Sequence, residues 1–217
     1  MEYDQAHGIF FGHILNLCGQ SKAISNLLQA FDEFEVGIED SRSKIEKLSP
    51  PEWRESRGAR TDLPSELIQA QVDEGYLREA RAIYAGALFV TLSSWIKSVG
   101  TRLELSPEDY LDCGKKVCGI HSARIIWAGA NNFRHYDEWH PTANSGLALR
   151  SIAPLQSIGI TAPWNRIVSS DALQILNIPR DFNDLLNKEL APIGHEIFAK
   201  STGRNFWIKE FTYGWGS

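Results

Sequence analysis

Residues Tyr76 to Leu103 read YLREARAIYAGALFVTLSSWIKSVGTRL, and this stretch decides the fold. Leu77, Ala80, Tyr84, Ala87, Leu88, Leu92, Trp95 and Val99 recur at steps of mostly three and four. That spacing lays one apolar stripe along a helix and predicts a central core helix. Ser65, ahead of a helix-favouring run, opens the element, which ends near Leu103.

Upstream, Phe10, Ile14, Leu17, Ile24, Leu28, Phe31 and Phe34 keep the same period from about Tyr3 to about Lys47. Gly19 and Ser21 interrupt it, which leaves one long helix or two stacked ones as alternatives. Pro50-Pro51 stops any helix. Arg54, Arg57 and Arg60 then form a basic cluster in an irregular stretch, suited to a solvated loop or to contact with an anion.

Downstream, Ser106-Pro-Glu-Asp is a helix start: a capping hydroxyl, a proline at the first position, and acids at the positive end of the dipole. Helical character continues, with breaks allowed at Gly114 and Gly119, through Ile125-Ile-Trp127 to Trp139, where Pro141 ends it. Residues 142–169 lack a clear period and suit short strands or an ordered loop. Asp171–Leu176 reads as a short helix, and Asp181–Lys200 as a longer one that Pro192 kinks or splits. The tail from Phe206 to Trp215 suits a strand or a docked extended segment. The expected fold is all-α: an antiparallel helical bundle forming a single domain over 1–217. Its core helices lie at about 3–140, and irregular C-terminal segments fill about 142–217.

Composition narrows the function classes. A chain of 217 residues holds one good core, and 43% hydrophobic with 23% charged residues is an ordinary globular mix. The formal net charge of -5 gives no overall attraction for nucleic acid or anionic lipid, so RNA binding needs a local patch. Three scattered cysteines, Cys18, Cys113 and Cys118, indicate buried thiols in a reducing compartment. The acidic start and the lack of an apolar run of about 20 residues predict a cytoplasmic protein without membrane contact.

Gly-rich phosphate loops, H-E-x-x-H and G-x-S-x-G are all missing, so no cofactor and no metal are expected. His135 and His140 are the only close pair of histidines. Five residues on a helix place them about 140° apart, unsuited to one shared metal.

The chemistry concentrates in Asn131-Asn132-Phe133-Arg134-His135-Tyr136-Asp137-Glu138-Trp139. On a continuous helix Asn131, Arg134, His135 and Glu138 fall at i, i+3, i+4 and i+7, hence on one stripe. Such a polar face, continuing a buried turn, either satisfies itself internally or lines a cleft. An imidazole transfers protons, a guanidinium stabilises phosphate charge, and an amide orients either. Together they suit metal-free RNA cleavage by a 2′-hydroxyl, and equally a structural network at a helix pair or dimer seam.

This string resembles the HEPN superfamily of small helical proteins, in particular a bacterial branch with a pattern close to N-x-F-[KR]-H-x-[DE]-E-W. The resemblance implies a HEPN-like bundle and homodimers whose motif helices face each other across the twofold axis. It also implies kinship with ribonuclease toxins and defence proteins, with RNA as substrate and a cognate antitoxin or other partner protein. The group's catalytic pattern is Arg, a polar residue, three of any kind, then His. Here Asn131 takes the polar place and His135 the His place, while Ala130 stands where the Arg belongs. Arg134 is the substitute stabiliser, and Arg134 with His140 fits a looser spacing of the pattern. Arg204-Asn205 begins like the motif but carries Lys209 in the His place.

These residues support two functional expectations. In one, a metal-independent endoribonuclease uses His135, Arg134 and Asn131 catalytically, with Glu138, Asn132 and His140 binding the substrate. In the other, a non-catalytic HEPN-like module dimerises or binds a partner. A third reading is an unrelated bundle holding a small ligand among its aromatic-rich helices.

Overall fold

A computed structural model describes residues 1–49, 63–139, 146–161, 163 and 166–204. The chain is mostly all-α, its helices packed on one another, with one short two-stranded hairpin among the described residues. Helix α1 (Tyr3–Gly19) and helix α2 (Ser21–Leu48) are separated at Gln20, whose N–H donates to Leu17 O at 2.9 Å. The periodic N-terminal region is therefore two helices. Ala6, Phe10, Ile14 and Leu17 bury one face of α1, and Ile24, Leu28, Phe31 and Ile38 one face of α2.

Helix α3 (Ser65–Arg102) is the long central element. Leu88, Leu92, Trp95 and Val99 are buried as their spacing predicts, together with Ala85, Phe89 and Ile96. Tyr84 is an exception at 38% exposed, its ring lying 5.2 Å from that of Phe34. By length and composition α3 could cross a membrane, with a window of mean hydropathy 1.3 that is 56% buried in the bundle. The expectation that no run approaches spanning length is corrected on this point.

Its N-terminal half runs antiparallel to α2. Arg42 Nε donates to Glu74 Oε1 at 2.9 Å, and Arg81 Nη1 reaches Glu35 Oε1 at 3.4 Å further along. The Arg180 guanidinium closes this seam, 4.1 Å from the Phe31 ring centroid. Trp95 Nε1 donates to His13 O at 3.1 Å, fastening α3 to α1 as well.

Ser106 caps α4 (Pro107–Leu111), with Pro107 in its first turn. The chain does not then run as unbroken helix to Trp139. Strands β1 (Lys116–Val117) and β2 (Ile120–His121) pair antiparallel. The turn between them holds Cys118 at φ 50° and Gly119 at φ 82°. Two successive positive φ values match the twist of a tight hairpin and are incompatible with a helix. Helix α5 (Ser122–His135) then crosses α3.

The aperiodic stretch 142–169 contains helix α6 (Gly146–Ser157), with Pro154 inside it, where strands or a loop are expected from sequence. Next come α7 (Ser169–Ile175) and α8 (Phe182–Leu185), the latter capped by the Asp181 carboxylate. A wide, π-helical turn at Leu186–Leu190 joins α8 to α9 (Ala191–Thr202) with helical dihedrals at Leu186, Leu190 and Ala191, so the helical backbone is not split at Pro192, which directly follows the widened turn. The C-terminal part is thus more helical than its sequence suggests. Arg54, Arg57, Arg60, His140 and the tail from Phe206 lie outside the described residues.

Candidate functional site

Helix α5 carries the motif, and close packing fixes its rotation. The Phe89 ring lies where a Cβ on Gly129 would be, only 2.5 Å away, so the two backbones approach closely. Ile125, Ile126, Ala128 and Ala130 face the core from α5. The four-residue step from Ile126 to Ala130 shows how few directions remain for polar groups.

Ala130, at the place of the catalytic Arg in the HEPN pattern, has 0% exposure. A guanidinium could not stand there without entering the apolar interior. Asn132 is also fully buried, although its motif position suggests contact with substrate. Its Nδ2 donates to Pro163 O at 2.8 Å and to Arg166 O at 3.1 Å, while its Oδ1 accepts from Val168 N–H at 2.8 Å. The amide is consumed in holding the stretch that leads into α7, and no ligand can reach it. Asn132, expected to bind substrate, is thus enclosed by the fold with its amide hydrogen-bonded to backbone.

The other motif residues divide. Helix α5 stops at His135, and the Glu138 N–H donates back to His135 O at 3.0 Å in a turn. A single helical register through Trp139 is therefore not present. His135 Nδ1 and Glu138 Oε1 are 3.2 Å apart, with side-chain exposures of 48% and 70%. They form a solvent-facing pair at the helix end. Asn131 is half-buried and donates from Nδ2 to Ser151 Oγ on α6 at 3.0 Å.

Asn131 and Arg134 open onto a groove of about 590 Å³ between α3 and α5, which His135 and Glu138 do not line. The α3 wall is Ser94, Lys97, Ser98, Thr101 and Arg102, and Trp127 adds an indole from α5. Sequence reasoning missed this wall. Its signal was a second, polar stripe at steps of one and three on the helix whose apolar stripe decided the fold.

A smaller groove of about 290 Å³ shares Ser98 and Arg102 and adds His13 and Asn16 of α1. Burial, reinforced by the Arg102 charge, holds the His13 imidazole below its usual pKa. Elsewhere, Cys113 is buried and its thiol is pushed up to about 11 by desolvation, whereas Cys118 is exposed. Glu189, 4% exposed in the wide turn, pairs with Lys115 from the loop before β1.

No family model matches this chain, and no curated protein or solved structure matches it. The HEPN resemblance stands on residues 131–139 and the helical layout.

Proposed function

We propose that this chain is a HEPN-like helical module that binds a partner, a second copy or another protein, through the exposed end of its motif helix, and that one protomer alone does not cleave RNA. The observation that supports this reading is the burial of Ala130. On a helix the residue five places before His135 points about 140° away from it, so an arginine at that place would not meet the imidazole within one chain. Asn132 supports the same reading, because its amide serves the fold.

The reading is tested with purified full chain, RNA and EDTA. RNA left intact, with a dimer in light scattering at micromolar concentration that His135→Ala weakens, is the expected result. Cyclic-phosphate ends that disappear in His135→Ala would overturn it.

One observation favours the second reading, a metal-independent endoribonuclease. His135 is exposed with a carboxylate beside Nδ1. With the proton on Nδ1, Glu138 would hold the tautomer that leaves Nε2 free as a base, and Arg134 would supply charge stabilisation. In that reading RNA is the substrate and a cognate antitoxin is the natural partner.

A further inference from the structure

We propose that α3 pairs with α3 of a second copy, antiparallel and about a twofold axis level with Ala85, through a coiled-coil face that stands open to solvent. This surface is separate from the His135–Glu138 pair and does not depend on how the motif is read.

Spacing carries the argument. Ala80, Ala87, Ser94 and Thr101 follow one another every seven residues along α3. Tyr76, Ile83 and Val90 form a second row with the same repeat, set off from the first by three and four places. Together the rows are the a and d positions of a coiled-coil seam, small side chains alternating with large ones. The seam is open: Tyr76 is 69% and Ile83 41% exposed, Ser94 is exposed, and Ala80, Ala87 and Val90 are half-buried. Leu67, Ala70 and Leu88, on another face of the same helix, are buried.

Turned end for end, the seam is its own complement. With Ile83 of one copy on Ala87 of the other, the same register sets Val90 on Ala80, Tyr76 on Ser94 and Asp73 on Lys97. Each large side chain meets a small one, which lets the two helix axes approach toward the lower end of the usual range of about 8–10 Å. A parallel pairing would set Asp73 against Asp73 and Lys97 against Lys97, like charge on like. The contact is isologous, so it closes as a dimer.

Charge agrees with the antiparallel register. Asp73 and Lys97 end the seam, and its a and d positions between them hold no charged side chain. Among the described residues neither Asp73 nor Lys97 is in an ion pair, and Asp73 accepts from Gln69 Nε2 at 2.8 Å. Across the twofold axis each supplies what the other lacks, twice per dimer.

The groove between α3 and α5 receives the end of the second helix. Ser94 and Lys97 line it, and Trp127 stands on its α5 wall. The register that sets Tyr76 on Ser94 lodges the phenol ring in this groove of about 590 Å³. An exposed aromatic side chain matched to a formed groove is the usual anchor of an interface. From Asp73 to Lys97 the seam is about 36 Å long, and at one helix diameter, about 10 Å, it covers several hundred Å² per protomer. With the groove walls added, that is of the order of the roughly 800 Å² a standard interface buries on each partner.

The experiment uses the full chain with Cys118→Ser, which removes the exposed native thiol. An equimolar mixture of Tyr76→Cys and Ser94→Cys proteins should give a covalent mixed dimer on mild oxidation. Neither protein alone should crosslink, because two copies of either position would stand about 27 Å apart along the seam. Sedimentation equilibrium, run with His135→Ala to isolate this surface from the motif, should show a dimer. Ile83→Asp should weaken it at least about tenfold by putting a charge into the seam. Val36→Asp on α2, at a position 63% exposed, should not. Asp73→Lys and Lys97→Asp should each weaken the dimer about tenfold, since two opposite-charge pairs become two like-charge contacts. The protein carrying both changes should recover the starting affinity. A missing mixed crosslink, a monomer in the His135→Ala protein, or a double variant no tighter than the single ones overturns the proposal. None of these outcomes bears on cleavage or on binding by the motif end.

Discussion

The Phe133 ring lies against Gly86 so closely that a Cβ added there would come within 2.2 Å of Phe133 Cδ2. Phe89 makes the mirror contact on Gly129, at 2.5 Å. Each helix of the α3–α5 pair thus receives the other's aromatic ring on a bare backbone, and this reciprocity sets the rotation of the motif helix.

Gly86→Ala or Gly129→Ala should therefore destabilise by about 1–3 kcal/mol, the usual cost of overpacking. Gly75, also inside α3, has nothing within 4 Å of an added Cβ. Gly75→Ala should instead stabilise by about 0.5–1 kcal/mol through helix propensity. Urea midpoints of the three variants check both signs, and a destabilising Gly75→Ala would contradict the packing described.

Asn132→Ala should cost about 3 kcal/mol, because it strands the Val168 N–H and two carbonyls in the interior. Asn131→Ala loses one bond to Ser151 at a half-buried site and should cost about 1 kcal/mol or less. Equal losses in denaturant unfolding would show that the two amides are not divided as described.

Introducing an arginine at the place where the HEPN pattern has one should fail. Ala130→Arg puts a charge at a position of 0% exposure and should lower stability by several kcal/mol, without giving nuclease activity. Thermal unfolding followed by circular dichroism, alongside an RNA digest in EDTA, decides the matter. A well-folded variant that cuts RNA would show that this position can turn outward.

Two histidines predict a pH dependence. Burial and then the Arg102 charge depress the pKa of His13, and burial depresses that of His195, both from 6.5. A depressed folded pKa means that the unfolded chain binds the proton more readily. Their contribution to stability is present above pH 6.5 and is lost as pH falls through the folded values. Urea midpoints measured from about pH 8 down to about pH 5 should drop below the mid-sixes, and His195→Gln should flatten that drop. A curve unchanged by His195→Gln would remove His195 from the account.

The helical character of the chain was legible because Leu88, Leu92, Trp95 and Val99 repeat at the period a helix imposes, and these four are buried. Ser106 and Pro107 announced α4 by local chemistry alone. The hairpin at 116–121 was less visible, since two residues per strand are too few for alternation to register and only Gly119 hinted at the turn. Helix α6 was hidden by Pro154, which breaks most helices but lies here inside one.

The site was legible only in part. Motif spacing put Asn131 and Arg134 on one face, and both line the groove. Helix spacing could not reveal that α5 ends at His135, or that Asn132 faces a partner stretch more than 30 positions later. Lys97 and Arg102 escaped notice because their meeting with Arg134 is a product of helix crossing, which no local pattern encodes.

The three bonds of Asn132 give α5 a mechanical link to the start of α7. The helix that displays Arg134 to the groove also anchors Val168 from its opposite side, so an axial slide or roll of α5 would pull on that anchorage. The Val168 amide proton is thus a built-in strain gauge: its exchange with solvent would report on any load placed on the motif helix, from a face of the molecule that the load never touches.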